Sequence, residues 1–308
     1  MHNFRGRIEP LKRQSLKQMK RVLLTLIIIA AFGTGALFAN DVLVLGDRRI
    51  APVSEVINKI SETLHGKVTV YTHQCSPSEL EKIVADEKSK VVAVVGVDFL
   101  TAALSLPKTI PIVYSLLIKP VTTDRQNVTG VYMETPLDTY YSLFRKYFPE
   151  IVKIGVIDNE GLSIVNLANY HSQSVKTIKA ANSYDLLQSL EVNAADINAI
   201  ILVPNKVFLA PTVFEQIYLY SFRYKKPVIG ISEKHVRAGS LFAVVFNLPS
   251  VATQTGDMLK TVLETGTAAN IPHSPPAAYD IYINMNTSRK MGIKIPQKLI
   301  DEAARVLE

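Results

Sequence analysis

Polar side chains that could contact a ligand come directly after short apolar runs of the sequence. Runs rich in valine and isoleucine are typical of buried strands, and small molecules bind outside the carboxyl ends of parallel strands. We therefore predict the ligand-binding residues from their positions at these ends: Asp47, Arg48, Asp98, Ser115, Tyr132, Asn159, Glu160, Asn205, Ser232 and Glu233. The alternative for each residue is that it only stabilises a turn or caps a helix, as aspartate, asparagine and serine commonly do.

The patterns of known catalytic and metal sites are missing from the sequence. Its histidines are scattered without the spacing of metal ligands: His2, His65, His73, His171, His235 and His273. The sequence has no Gly-x-Ser-x-Gly turn, no P-loop and no dinucleotide fingerprint after a strand. We predict no catalytic residues, no metal and no cofactor. A secreted enzyme is the weaker alternative, since it would need a nucleophile with a base in reach.

Apolar runs alternate with amphipathic stretches from residue 41 onward, a pattern typical of parallel sheets flanked by helices. The first series has predicted strands at 42–45, 68–71, 91–95 and 112–114, with helices at 53–64 and 78–88. The second has strands at 154–157, 177–180, 199–203 and 228–231, with helices at 137–147, 184–192 and 211–224. The tail adds a strand at 241–246, a helix at 253–263 and a strand at 279–284.

Two such series predict an α/β fold with two doubly wound parallel-sheet lobes. We expect residues 41–130 and about 250–280 in the first lobe, and residues 131–249 and about 281–308 in the second. Segments that return to each lobe would make a hinge with several crossings, able to close by small dihedral changes. The cleft between the lobes is the predicted ligand site.

The N-terminus has the features of a signal peptide. Met19-Lys20-Arg21 precedes an apolar stretch from Val22 to Ala31, and small residues follow up to Ala39. We predict cleavage after Ala39, which would place the mature protein in the periplasm; an uncleaved anchor is the alternative.

The basic charge of the chain is concentrated in that segment. The formal net charge of the whole chain is +7, and residues 1–39 carry +6 of it, which leaves about +1 for the remainder. No basic stripe remains to neutralise phosphates, so we expect no nucleic-acid partner. Cys75 is the single cysteine of the sequence and can form no intramolecular disulfide.

Several short motifs resemble one family in their order. They are Pro111-Ile112-Val113-Tyr114, Asn127-Val128-Thr129-Gly130-Val131, a Pro-x-x-x-Lys-x-Gly-Val-Ile arrangement from Pro149 to Ile157, Val236-Arg237-Ala238-Gly239, Ile283-Asn284-Met285-Asn286 and 291–296. Over residues 41–300 the chain resembles the substrate-binding components of ABC transporters that include tryptophan- and aromatic amino-acid-binding receptors. The resemblance implies the type I periplasmic binding-protein fold, a small-molecule ligand between the lobes and a membrane permease as partner. We expect a monomer, and a receptor that feeds a sensor instead of a transporter is an alternative.

The sequence departs from that family at three turns. Gly96-Val97-Asp98 replaces a threonine-rich turn, Lys119-Pro120 replaces Asp-Pro, and Asn205-Lys206 replaces an acidic turn. An aspartate at a helix start commonly caps that helix, which is the ordinary interpretation of Asp98. The carboxylate expected to bind an amine is missing at Asn205-Lys206. An aromatic amino acid is therefore the first ligand to test, although these turns support it only in part.

Overall fold

Five parallel strands form the first of two sheets: Val42–Leu45 (β1), Val68–Tyr71 (β2), Val91–Val95 (β3), Ile112–Leu117 (β4) and Val128–Tyr132 (β5). Their order across the sheet is β2-β1-β3-β4-β5. Helices Ala51–Thr63 (α1), Pro77–Glu87 (α2) and Leu100–Leu104 (α3) connect the first four strands. The computed structural model describes residues 41–65, 68–157, 174–180, 182–203 and 211–308.

The second sheet contains the remaining described strands: Lys153–Ile157 (β6), Ser174–Ile178 (β7), Ala199–Ile201 (β8), Val228–Gly230 (β9), Phe242–Phe246 (β10), Tyr279–Asn284 (β11) and Arg305–Leu307 (β12). Their order is β12-β11-β10-β9-β8-β6-β7, and β11 runs antiparallel to β10. The remaining helices are Leu137–Tyr147 (α4), Ser183–Val192 (α5), Pro211–Tyr224 (α6), Glu233–Ala238 (α7), Leu248–Thr265 (α8), Met285–Met291 (α9) and Gln297–Glu302 (α10); α8 returns to the first sheet. A short 3-10 helix covers Ala194–Asp196.

Each sheet is buried on both faces, which explains why its central strands are apolar along their whole length. In the first sheet, α1 and α8 cover one face, and α2 and α3 cover the other. In the second sheet, α4 and α10 lie against one face, and α5 and α6 lie against the other. Every residue of β1 and β3 is buried.

The two-lobed α/β architecture predicted from the sequence is confirmed. The bounds of β1, β2, β3, α4, α6 and β11 match the predicted ones. Strand β4 differs, because it continues three residues beyond 114 through an irregular step in its pairing with β5. Leu116 lies at this step with a φ of +58°, a backbone conformation that is uncommon for leucine.

Within the described residues, three stretches of chain pass between the lobes, and they lie side by side: the Tyr132 N–H at the start of the first donates to the Ser274 carbonyl of the third over 3.1 Å. The first follows β5, where the Met133 N–H donates to the Leu117 carbonyl over 2.7 Å. The second is at Asn247, between β10 and α8, and its N–H donates to the Ala278 carbonyl of the third stretch over 3.1 Å. Since the first two stretches leave from the carboxyl ends of β5 and β10, they join the carboxyl edges of the two sheets.

No helix within the described residues is both long enough and apolar enough to cross a bilayer.

Candidate functional site

A cavity of about 550 Å³ opens at the carboxyl ends of β1, β2 and β3, within the size range of ordinary small-molecule sites. It is lined by Asp47, Arg48, Arg49, Thr72, His73, Gln74, Asp98 and Phe99. The three ligand-binding residues predicted after β1 and β3 therefore share one cavity of the first lobe. Arg49, Phe99 and the three residues that follow β2 were not predicted, because nothing in their spacing separates them from an ordinary loop.

Asp47 is held by a neighbour two residues along the chain. Its Oδ1 accepts from the Arg49 backbone N–H over 2.9 Å, and its Oδ2 accepts from the Arg49 guanidinium over 2.7 Å. These hydrogen bonds to Arg49 lower the pKa of Asp47 from its ordinary value of 3.8 to about 2. A ligand group that bound Asp47 would therefore have to share this carboxylate with Arg49.

The pKa of Asp47 provides a direct check of this arrangement. In an NMR titration, the Asp47 carboxyl should titrate near pH 2 in the wild type and near its ordinary value in Arg49→Ala. The ion pair stabilises the folded state above about pH 4, and this contribution is lost as the pH falls through 2, because the folded-state pKa is the lower one. Arg48→Ala is the matched control and should leave the titration unchanged; a wild-type midpoint near 3.8 would contradict the pair.

Arg48 and Asp98 carry opposite charges on the same cavity and are both exposed. Within the described residues, neither side chain makes a hydrogen bond or an ion pair. Asp98 does not cap α3, whose N-cap residue is Phe99 and whose first turn has no side-chain cap. Capping of a helix therefore does not explain why an aspartate occupies residue 98 in this structure.

Two other predicted residues of the first lobe lie at different depths. Ser115 is fully buried inside β4, because the strand extends past the predicted end, and its Oγ has no hydrogen-bond partner among the described residues. Tyr132 is the last residue of β5 and is half-buried. Its backbone N–H donates to the Ser274 carbonyl over 3.1 Å, which places it beside the third stretch of chain between the lobes.

The second lobe places Ser232 and Glu233 at the carboxyl end of β9, where α7 begins. The Glu233 carboxylate pairs with Arg237 and Arg305 at 2.6 Å each. The Ser232 hydroxyl lies 3.2 Å from His235 Nδ1. The predicted residues Asn159, Glu160 and Asn205 lie outside the described residues, as does the predicted signal peptide.

His235 also lies at the carboxyl end of β9. The scattered positions of the histidines in the sequence did not indicate this. The Ile231 N–H donates to Nδ1 of His235 over 3.1 Å, so the proton of the neutral ring lies on Nε2. Its ring packs 5.0 Å from that of Phe214, and burial lowers the pKa of His235 to about 4. Between pH 5 and 8, His235 is therefore an uncharged donor near the carboxyl end of β9.

The described residues contain no group of histidine, cysteine, aspartate and glutamate side chains that could hold a metal ion. The edges of the two sheets thus present polar and charged groups suited to hydrogen bonds and ion pairs with a small molecule.

A family model described as ABC transporter substrate binding protein matches residues 62–307. Among curated proteins, no match was found.

Three solved structures resemble the chain over 86% of its length. An ABC domain in complex with L-Trp from Streptococcus pneumoniae is 18% identical, with a TM-score of 0.56 over 100% of that chain. A conserved domain protein from Vibrio cholerae is 22% identical, with a TM-score of 0.57 over 99% of that chain. The ligand-free, open structure of CD0873, a substrate binding protein with adhesive properties from Clostridium difficile, is 16% identical, with a TM-score of 0.66 over 98%. At these levels of sequence identity, the similarity between the chain and the three structures concerns the fold.

Proposed function

We propose that this chain, which belongs to the family of ABC transporter substrate-binding proteins, binds a small polar molecule between its two lobes and delivers it to the permease of an importer. The supporting observation is the cavity at the carboxyl edge of the first sheet, where the exposed Arg48 and Asp98 present opposite charges that make no hydrogen bond or ion pair among the described residues; the charge of Asp98 also acts on Arg49 of the same cavity. The protein changes no covalent bond of its ligand in this role and works in the periplasm.

Charges of both signs that make no ion pair on one cavity favour a ligand that itself carries both. Arg48 can hold a carboxylate by paired N–H donors, and Asp98 can accept from an ammonium. An amino acid satisfies both, and the resemblance to a structure that holds L-Trp makes aromatic amino acids the first to test. Asp47 and Glu233 already pair with arginines, so they contribute mainly by holding these edges in place.

Closure gives the ligand its affinity in this proposal. When the two edges meet, water leaves the cleft and each charge contact strengthens, because the local dielectric constant falls. The stretches between the lobes permit this motion by small dihedral changes near Met133, Asn247 and Ala278.

A thermal-shift screen of amino acids, nucleosides, sugars and small organic acids on the purified protein tests the proposal. A ligand at one hundred times its dissociation constant should raise the free energy of unfolding by about 2.7 kcal/mol, which gives a measurable rise in Tm.

Arg48→Ala and Asp98→Ala should each weaken the binding of such a ligand about tenfold, because each removes one partly exposed charge contact. Arg145→Ala, on an exposed position of α4, is the control and should bind normally. A screen without a single stabilising compound would contradict the proposal.

A further inference from the structure

The cavity of the first lobe is charged on one side and polar on the other. Strand β1 lies between β2 and β3 in the sheet, so Asp98, after β3, lies on one side of the cavity and the residues after β2 lie on the other. These residues are Thr72, His73 and Gln74, which we call the β2 loop. The ends of β2 and β3 are two strand spacings apart, roughly 10 Å, which an amino acid of the size of glutamine spans with its hydrogen bonds.

The polar groups of the β2 loop have no partners in the described part of the chain. The side chains of His73 and Gln74 are exposed, and that of Thr72 is half-buried. Within the described residues, none of the three side chains makes a hydrogen bond or an ion pair. The ring of His73 meets that of Tyr71 edge to face, with 6.0 Å between the ring centroids, a contact that leaves its nitrogens without a hydrogen bond. Threonine, glutamine and neutral histidine side chains can each both donate and accept, so the loop offers both kinds of hydrogen bond to a ligand.

The same cavity offers little surface to an aromatic ring. Among the residues that line it, Phe99 is the single apolar one. Its side chain is packed in the core of the first lobe and is 2% exposed, so little of its ring is left to contact a ligand. An indole or phenyl group against the β2 loop would cover polar groups without making hydrogen bonds to them, which costs free energy.

A charged group of a ligand would find no fixed opposite charge in the β2 loop. The loop contains no lysine, arginine, aspartate or glutamate. Asp47 and Arg49 line the same cavity but pair with each other at 2.7 Å. A charged ligand side chain would therefore lose water on closure without gaining an ion pair, whereas an amide or a hydroxyl loses less and gains hydrogen bonds.

We propose that Thr72, His73 and Gln74 form the subsite that recognises the side chain of the ligand, and that this ligand is an amino acid whose side chain carries an amide or a hydroxyl group. The inference rests on the proposed binding of a small molecule between the lobes, where Arg48 and Asp98 hold the α-carboxylate and the α-ammonium group. It places asparagine, glutamine and threonine ahead of the aromatic amino acids, which the resemblance to other structures put first.

The test is titration calorimetry with pairs of amino acids that have similar shapes and differ in the hydrogen-bonding capacity of the side chain. The pairs are asparagine with leucine, glutamine with methionine, and threonine with valine; aspartate, glutamate, phenylalanine and tryptophan are added. We expect at least one polar member to bind and its apolar partner to bind at least about tenfold more weakly, because the apolar side chain leaves the hydrogen-bonding groups of the loop unpaired. The acids and the aromatic amino acids should also bind at least about tenfold more weakly than that polar member.

A double variant, His73→Phe with Gln74→Leu, assigns this preference to the β2 loop. Both residues are exposed, so the variant should fold normally, with a Tm close to that of the wild type. Its preference for the polar member of the pair should fall below about threefold, because the affinity for the polar member falls while that for the apolar member does not. A loop that only shaped the cavity would instead weaken both members alike. Gln188→Leu, on an exposed position of α5, is the matched control and should keep the full preference.

The possible failures of the two proposals can be told apart. Three results would overturn the β2-loop subsite and leave the binding function intact: a ligand that is not an amino acid, an apolar, aromatic or acidic amino acid that binds as tightly as the polar ones, or a preference that survives the double variant. The absence of any stabilising compound in the thermal-shift screen would overturn the binding function and the subsite together.

Discussion

Replacing Gly130 with alanine should lower the free energy of unfolding by about 3 kcal/mol. Gly130 lies in the middle of β5, where an added Cβ would be 2.2 Å from the Tyr114 carbonyl oxygen and 2.6 Å from Tyr114 Cγ. Neither atom can move away easily, because Tyr114 is fully buried in β4 and its hydroxyl lies 2.7 Å from His273 Nδ1. Chemical unfolding followed by circular dichroism would measure the loss.

Gly266→Ala is the matched control for this substitution. Gly266 ends α8 with a φ of +72°, and an added Cβ would meet no atom within 4 Å. Its replacement should therefore cost only the conformational penalty of about 1 kcal/mol. Equal losses for the two variants would show that the close approach of β5 to Tyr114 is not what requires glycine at residue 130.

Replacing Arg125 with alanine should also lower the free energy of unfolding by about 3 kcal/mol. Arg125 is 6% exposed, and its guanidinium binds the turn that precedes β4. It donates to the carbonyls of Leu104 at 3.2 Å, Pro107 at 3.0 Å and Ile110 at 3.0 Å, and also to that of Leu106. Alanine would remove this donor from all four carbonyls, of which that of Pro107 would still accept from the Ile110 N–H.

Two further variants show whether the donor geometry of Arg125 matters. Arg125→Lys keeps the charge but cannot reach four carbonyls at once, so its loss should be intermediate. Arg145→Ala removes an exposed arginine and should change the free energy of unfolding by less than about 0.5 kcal/mol. If Arg125→Ala were as stable as Arg145→Ala, the guanidinium would not be holding this turn.

The sequence predicted best those strands that are buried on both sides. The runs Val42–Leu45 and Val91–Val95 are continuously apolar because helices cover both faces of the first sheet, and their bounds were predicted correctly. Strand Val128–Tyr132 was not predicted, because Thr129 and Gly130 interrupt its apolar pattern. The glycine is required by Tyr114, which lies on another strand, so no local pattern could reveal it.

The candidate site was predictable in position and less so in chemistry. Strand ends placed Asp47, Arg48 and Asp98 on one cavity. Their individual roles depend on contacts that residue type alone does not reveal: the Asp47 carboxylate is engaged by Arg49, two residues along the chain, whereas Arg48 leaves it free. The predicted ligand contacts, including those of Ser115 and Ser232, stay predictions.

The measurement that tests the binding of a ligand between the lobes most directly is hydrogen exchange followed by mass spectrometry, with and without the most stabilising compound of the screen. We expect slower exchange at residues 46–50 and 97–100 of the first lobe, at 132–135 in the connecting chain and at 231–235 of the second lobe. The helix Gln297–Glu302, which is joined through Glu302 to Lys146 at the end of α4 opposite the connecting chain, should exchange at an unchanged rate. Protection confined to one lobe, or protection at neither edge despite a rise in Tm, would contradict binding between the lobes.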